Sequence, residues 1–165
     1  MIGTGFLTTW QLLPTLSKYG YINAAYRVLE NTKQPGWLYE VTKGATTTWE
    51  NWYGVDENNV PVDSHNHYAP GSVVAWLFSH CAGIQPLEPG FSKVLIQPTP
   101  GGSLTWAKAE FASIHGTIVS AWKLENSKFT LQVETPVHTT VIMPDGETME
   151  AEPGSHTFSC QFNKT

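Results

Sequence analysis

The sequence predicts an α+β protein of two domains, with a helical domain in residues 1–86 and an antiparallel β-sandwich in residues 87–165. Apolar residues before Pro86 recur at the spacing of amphipathic helices. After Gly90, short runs of β-branched and aromatic residues are separated by turn signals, which is typical of antiparallel sheets. We place the domain boundary in residues 86–90, where the first pattern gives way to the second.

Residues 1–30 predict a helical hairpin. Gly20 stands where a helix can end in the left-handed conformation, and Pro14 either begins the main part of the first helix or kinks it. The connection at Gly20 and Tyr21 is short, so the second helix should run antiparallel to the first. Apolar side chains repeat at helical spacing at Trp10, Leu13, Leu16 and Tyr19, and again at Ile22, Ala25, Tyr26 and Leu29.

A long loop is expected in residues 37–70, which show no sustained period and are rich in Thr, Asn, Gly and Pro. Loops of about 30 residues are usually functional or disordered, and the aromatic residues in this one argue against disorder. A third helix should begin at Ser72, which can cap it, and end at Gly83. Apolar residues cover nearly its whole circumference, so it should be buried on most sides.

The β-sandwich is predicted from seven runs that have strand character. Turn signals such as Pro100-Gly101-Gly102, Asn126-Ser127 and Pro153-Gly154 separate them. In the fourth run, apolar and polar side chains alternate, so one face of that strand should be buried and the other should face water. The runs are KVLIQ, LTWAKAEF, GTIVSAWKL, KFTLQVET, HTTVIM, ETMEAE and SHTFSCQF.

The composition excludes several classes of protein. Charged residues make up 14% and hydrophobic residues 41%, a balance that predicts a soluble globular protein. The net charge of −5 and the lack of a Lys/Arg cluster argue against a nucleic-acid partner. The longest apolar run, residues 73–78, is far shorter than the ~20 residues that a membrane span requires, so no membrane partner is expected. The N-terminus lacks the basic region of a signal peptide, and the cellular location stays unknown.

Residues 36–52, GWLYEVTKGATTTWENW, are the strongest candidate for a functional site. Glu50 lies there between Trp49 and Trp52, with Trp37 nearby. A sugar ring stacks its apolar faces on indole rings, and an apolar environment raises a carboxyl pKa toward the range useful for acid or base catalysis. The same residues are also compatible with an ordinary aromatic core and a solvated Glu50, since Trp is a common core residue.

The segment SHNHYAPGS, residues 64–72, offers a second set of candidate residues. Asp63, His65 and His67 alternate, so in an extended segment they would share one face as metal ligands do. No third imidazole or thiolate cluster accompanies them, and we predict no metal and no cofactor. His67 either pairs with the loop backbone or donates a hydrogen bond to a sugar hydroxyl. The sequence contains no phosphate-binding glycine loop and no nucleophile elbow.

Seven segments together resemble a known family. GFLTTWQLLPTLSKYGY, AAYRVL, GWLYEVTKGATTTWENW, NHYAPGSVVAWLF, AGI, PTPGGSLTWAKAEF and GTIVSAW follow one another as in the C-terminal part of bacterial α-L-rhamnosidases. The resemblance covers nearly all of residues 3–135, and its most specific parts are GATTTWE and NHYA. Over the last thirty residues only the strand pattern remains.

The resemblance implies a glycoside hydrolase whose catalytic domain is an α/α toroid of six helical hairpins, followed by a β-sandwich. Such enzymes cleave terminal α-L-rhamnose with inversion, which requires a general acid and a general base on opposite faces of the sugar. By this resemblance, the general base of the family is expected at Glu50 and its rhamnose-contacting histidine at His67. We assign the apolar wall for the sugar's methyl group to Trp37, Trp49 or Trp52.

The general acid of the family lies upstream of the segment that this sequence matches. We therefore expect the chain to be a C-terminal fragment that holds the last helices of the toroid and is inactive by itself. Its partners should be a rhamnose-containing glycoside and either the missing N-terminal part of the enzyme or a second copy bound through exposed helix faces. The alternative is a non-catalytic carbohydrate-binding or structural module.

Overall fold

The computed structural model describes residues 3–164. The chain divides into two compact units, Met1–Trp76 and Leu77–Thr165. The domain boundary after residue 86, which rests on the change from a helical to a β pattern, stays a prediction. The described part of the chain contains no helix long and apolar enough to cross a membrane.

The first unit begins with the predicted helical hairpin. Helix α1 spans Phe6–Lys18 with Pro14 inside it, and α2 spans Ile22–Leu29. Gly20 follows α1 with a φ of 80°. Its N–H donates to the Ser17 carbonyl, and the Tyr21 N–H donates to the Leu16 carbonyl. This pair of bonds satisfies the last carbonyls of α1 and turns the chain toward α2. Both helices are confirmed.

The expectation of a continuous loop in residues 37–70 is wrong at its two ends. Helix α3 occupies Trp37–Thr42, and α4 spans Tyr68–Gly71. A six-residue helix is too short to show a sustained period, which is why the pattern missed α3. Trp37 and Glu40, three positions apart on α3, are both buried, because that spacing places them on one face.

The helix predicted for residues 72–83 is confirmed over residues 73–81, but as two consecutive helical pieces and not as one α-helix. Helix α5 covers Val73–Trp76, and a π-helical turn covers Leu77–Cys81 in the second unit. Ser72 does not start a helix with its side chain, because its hydroxyl donates back to the Ala69 carbonyl at 2.5 Å. Burial is likewise uneven: Trp76 is 1% exposed, whereas Val74 is 51% exposed.

The described residues of the second unit, 77–164, form two four-stranded sheets, and the predicted β-sandwich is confirmed. In chain order the strands are β1 (Ile84–Pro86), β2 (Val94–Ile96), β3 (Trp106–Ser113), β4 (Gly116–Glu125), β5 (Lys128–Thr135), β6 (Thr139–Ile142), β7 (Thr148–Ala151) and β8 (Gly154–Gln161). One sheet has the order β1-β2-β6-β7 and the other β3-β4-β5-β8. Neighbouring strands are antiparallel except β2 and β6, which run parallel.

The core of the second unit follows from strand alternation. Phe129, Leu131 and Val133 on β5 are buried, as their spacing predicts. Two polar side chains of β4 also enter the core. Ser120 donates to the Ala82 carbonyl at 2.6 Å, and Trp122 donates through Nε1 to the Cys81 carbonyl at 2.8 Å. These bonds join β4 to the segment before β1.

Candidate functional site

The candidate site is built on two segments of the first unit, residues 47–50 and 64–67, which hydrogen bonds join and which we call the paired segments. The His67 N–H donates to the Thr48 carbonyl, and the Thr48 hydroxyl donates to the His67 carbonyl, both at 2.9 Å. The Glu50 N–H donates to the Ser64 carbonyl at 2.8 Å. These bonds set the register in which the predicted residues Glu50 and His67 are held.

Glu50 is half-buried, and its carboxylate is turned toward the second paired segment. Oε2 accepts the Ser64 N–H at 3.2 Å. Glu50 also lines a cavity of about 170 Å³. An apolar cavity of ~150 Å³ accommodates a benzene ring, so this one has the size of a single six-membered ring. The other lining residues are Thr4, Phe6, Thr9, Asn51, Trp52, Asp63 and Pro70.

Of the three tryptophans predicted near Glu50, Trp52 is the one that lines this cavity. Trp37 is 6% exposed and lies edge-on to Trp52, with 5.0 Å between ring centroids. Its Nε1 donates to the Pro70 carbonyl at 2.9 Å. Trp37 therefore packs behind Trp52 and supports the ring that the cavity exposes.

Trp49 is 4% exposed and packs between two other groups. The His65 ring stacks on it at 4.5 Å. On Gly54, a Cβ atom would lie 1.7 Å from the Trp49 ring, so the glycine allows the indole to sit against the backbone. His65 Nε2 is 2.5 Å from the Gly54 carbonyl oxygen, which closes this arrangement.

His67 is the N-cap of α4, and its Nδ1 accepts the Ala69 N–H at 3.2 Å. Its ring contacts two aromatic rings, with centroid distances of 4.5 Å to Phe6 and 4.9 Å to Tyr68. Phe6 belongs to the cavity lining, so His67 is one side chain removed from it. The roles assigned to Glu50, His67 and the three tryptophans stay predictions.

Glu40, which the sequence reasoning missed, is the buried carboxyl beside this site. It is 2% exposed, and its Oε2 accepts the Trp49 N–H at 3.1 Å. Burial raises the pKa of Glu40 from 4.5 to about 7, against the opposing effects of the Trp49 N–H and the nearby His65. The sequence signal for the burial of Glu40 is its spacing of three residues from Trp37. That spacing indicates a shared buried face only if residues 37–42 are known to form a helix.

Other acidic side chains near Glu50 are placed differently from one another. Asp63 lines the same cavity and accepts a hydrogen bond from Asn51 Nδ2 at 3.3 Å. Asp56 instead binds its own loop, where its Oδ1 accepts the N–H groups of Asn58 and Val60. Within residues 3–164, no group of three or more His, Cys, Asp or Glu side chains is arranged to hold a metal ion.

Comparison with known protein families accounts for most of the chain. Residues 1–81 match the family described as the bacterial alpha-L-rhamnosidase 6 hairpin glycosidase domain. Residues 83–158 match the bacterial alpha-L-rhamnosidase C-terminal domain. The helices and the β-sandwich therefore correspond to two successive domains of one family.

Curated relatives carry the same family name. An alpha-L-rhamnosidase of Streptomyces avermitilis is 41% identical over 143 residues, which is 84% of this chain and 14% of that protein. One from Formosa agariphila is 36% identical over 141 residues, or 83% of this chain and 15% of that protein. The chain thus spans about one-seventh of the length of these relatives.

Solved structures agree with this assignment. The alpha-L-rhamnosidase of Aspergillus terreus superposes with a TM-score of 0.92 at 38% identity, over 96% of this chain and 19% of that one. The Streptomyces avermitilis enzyme, solved in complex with L-rhamnose, gives a TM-score of 0.90 at 34% identity, over 97% of this chain and 18% of that one. The fold, the two matched domains and these relatives make the chain a member of the bacterial α-L-rhamnosidase family.

Proposed function

We propose that the chain is the C-terminal part of an inverting α-L-rhamnosidase, in which Glu50 is the general base for the hydrolysis of terminal α-L-rhamnose. The observation that carries the proposal is the position of Glu50 on the ring-sized cavity, next to the Trp52 indole. In this reaction the base removes a proton from the attacking water, while an acid protonates the leaving oxygen from the other face.

Sugar binding in the proposed site divides between an apolar and a polar part. Trp52 lines the cavity, so of the three tryptophans it is our choice for the wall that meets the rhamnose methyl group. Trp37 and Trp49 act behind it as supports. His67 is proposed to donate a hydrogen bond to a sugar hydroxyl through Nε2, because Nδ1 is engaged with the Ala69 N–H. Phe6 lies against His67 and lines the cavity, so that hydroxyl would lie at the edge of the cavity beside Phe6.

The general acid is proposed to come from an upstream part of the same enzyme. Inverting enzymes hold their two carboxyl groups roughly 6.5–9.5 Å apart, with room for water between them. One carboxylate cannot serve as acid and base in the same step. We therefore expect the isolated chain to be inactive, with the upstream domain as its partner and a rhamnose-containing glycoside as substrate.

The test compares hydrolysis of an aryl α-L-rhamnoside by the chain alone and by the chain joined to an upstream rhamnosidase domain. The chain alone should give no turnover, and the joined protein should be active. Glu50→Gln should reduce kcat of the joined protein by at least about 10²-fold, since it removes the base. Activity that survives Glu50→Gln would reject the assignment of the base.

The chain alone could instead hydrolyse the substrate and lose this activity in Glu50→Gln. That result would reject the proposal that the general acid comes from an upstream part of the enzyme. In that case Asp63 becomes the candidate acid, because it lines the cavity with Glu50. Asp56 serves as the control, since its carboxylate is engaged by its own loop. Asp63→Asn should then reduce turnover, whereas Asp56→Asn should not.

A carbohydrate-binding module is the second candidate function, favoured by the presence of the Trp52 ring on the cavity. Binding needs stacking and hydrogen bonds but no general base. Measurable L-rhamnose affinity of the chain alone, lost in Trp52→Ala and kept in Glu50→Gln, would favour this reading. Loss of affinity in both variants would favour the catalytic one.

A further inference from the structure

Glu40 holds an unusual position for a side chain that ordinarily carries charge. It lies on α3 and is 2% exposed. Among the described residues, its Oε1 is buried without a hydrogen-bond partner. An unsatisfied buried polar oxygen costs free energy, and an apolar side chain of similar volume would avoid that cost. The contacts of its second oxygen indicate what this carboxyl does.

The second oxygen of Glu40 binds the backbone immediately before Glu50. Oε2 accepts the Trp49 N–H at 3.1 Å, which orients the peptide plane between Thr48 and Trp49. The next peptide plane is oriented from the other paired segment, because the Glu50 N–H donates to the Ser64 carbonyl at 2.8 Å. Two consecutive peptide planes are thus held by different partners.

Fixing both planes fixes the direction in which Glu50 leaves the backbone. The carboxylate at the end of the Glu50 side chain is oriented by the Ser64 N–H, which donates to Oε2 at 3.2 Å. The indole of Trp49 adds a third restraint, since it is stacked on His65 at 4.5 Å and seated against Gly54. Glu40 is the part of this arrangement that reaches Glu50 from α3.

We propose that Glu40 is a positioning residue for Glu50, acting through the Trp49 amide. Its carboxyl does not reach the cavity; it holds the backbone from which the Glu50 carboxylate projects. This inference rests on the proposed function in assigning Glu50 its task, but the contact itself is independent of catalysis. A general base must lie within hydrogen-bond reach of the water that it activates, so a small rotation of this backbone matters.

The test is amide hydrogen exchange of the full chain, measured by NMR one pH unit below the Glu40 pKa of about 7. Glu40→Met fills the space but cannot accept the Trp49 N–H. The amides of Trp49, Glu50 and Ser64 should then exchange about tenfold faster, the effect of losing one hydrogen bond. Glu40→Gln keeps an acceptor of the same shape and should restore exchange to within about twofold of the original.

Two controls separate positioning from a merely structural role. The Ala25 amide of α2, which donates to the Tyr21 carbonyl at 3.0 Å, should exchange at its original rate in both variants. Global stability of Glu40→Met is measured alongside, because the unpaired Trp49 N–H lowers the free energy of unfolding while the removal of a desolvated carboxyl offsets part of that loss. If Glu40→Met does not fold, Glu40→Asp takes its place, since its shorter side chain withdraws from the Trp49 N–H.

The proposal is overturned if Glu40→Met leaves the three amides at their original rates, if Glu40→Gln exchanges as fast as Glu40→Met, or if the Ala25 amide accelerates equally. None of these results depends on turnover. Failure of the proposed function would appear elsewhere, as rhamnosidase activity that survives Glu50→Gln. The two failures are therefore distinguishable.

Discussion

At the scale of single residues, the site depends on contacts between side chains and backbone groups from neighbouring segments of the first unit. The Trp49 N–H donates to Glu40, and the Trp49 ring stacks on His65. The same ring also packs against the backbone of Gly54. Each contact restricts the rotation of the indole or of the backbone that carries it. The residue next in sequence is Glu50, so these restraints act directly on the proposed base.

Gly54 should be intolerant of any side chain. It has a φ of 56°, and an added Cβ would lie 1.7 Å from the Trp49 ring. Gly54→Ala should lower the free energy of unfolding by at least about 2 kcal/mol, through backbone strain and overpacking together. Gly44 is the matched control, because its φ is 81° but nothing lies within 4 Å of its added Cβ.

Gly44→Ala should cost only about 1 kcal/mol, the strain of the left-handed conformation. Urea unfolding followed by tryptophan fluorescence measures both changes. Equal losses in the two variants would show that the contact with Trp49 contributes nothing.

Glu40 should make the stability of the protein depend on pH. Its pKa is raised from 4.5 to about 7 in the folded state, so the folded chain retains a proton that the unfolded chain releases. The contribution is fully present below about pH 4.5 and is lost as the pH rises through about 7. The total change is about 3 kcal/mol, since one pKa unit corresponds to roughly 1.4 kcal/mol.

Glu40→Gln removes this titration and supplies the comparison. The difference in free energy of unfolding between the original chain and this variant should change steadily between pH 4.5 and 7 and be level on either side. Taking the difference also cancels His80, whose pKa burial lowers and whose contribution is lost as the pH falls. If the difference in free energy of unfolding did not change with pH, Glu40 would not have a raised pKa in the folded state.

At the scale of elements, the second unit uses side chains of β4 to fasten the segment that enters the sandwich. Ser120 is fully buried and Trp122 is 2% exposed. Their hydrogen bonds to the Ala82 and Cys81 carbonyls satisfy backbone groups of the segment just before β1. The polar positions on this strand are thus part of its packing.

Ser120→Ala should lower the free energy of unfolding of the second unit by about 1–3 kcal/mol, because it removes the donor that the buried Ala82 carbonyl uses. Ser159 on β8 is exposed and provides the control. Ser159→Ala should change stability by less than about 0.5 kcal/mol. Chemical denaturation monitored by circular dichroism tests both, and an unchanged Ser120→Ala would contradict the role of this bond.

At the scale of the whole molecule, the first helix presents apolar side chains to solvent. Leu7 is 83% exposed and Trp10 is 55% exposed, with Phe6 at 46% beside them. Contiguous apolar patches of more than a few hundred Å² usually mark a contact surface. In the proposed enzyme the upstream domain would cover this face of α1.

The chain by itself should therefore self-associate as its concentration rises. The double variant Leu7→Gln, Trp10→Gln should shift it toward the monomer in sedimentation velocity. Ile114, which is 85% exposed in the second unit, is the matched control, and Ile114→Gln should leave the association unchanged. A sedimentation coefficient that does not vary with concentration would reject self-association.

Sequence patterns predicted the long elements well and the short ones poorly. Helix α1 and strand β5 are long enough for their apolar residues to repeat several times, so their period was readable. Helices α3, α4 and α5 have six residues or fewer, and tertiary contacts rather than periodicity stabilise such short pieces. The parallel pair of β2 and β6 was missed because pairing between distant strands has no local signal.

The sequence by itself determined the family, the order of helices before strands and the residues proposed for the site, because these depend on local spacing and on specific motifs. The tertiary structure alone decided which tryptophan faces the cavity and which carboxyl is buried. Trp49 and Trp52 are equally aromatic in sequence, and Glu40 looks as solvated as Glu50. Burial is a property of what folds around a side chain, and here the neighbours that bury Glu40 and Trp49 come from α3 and from both paired segments.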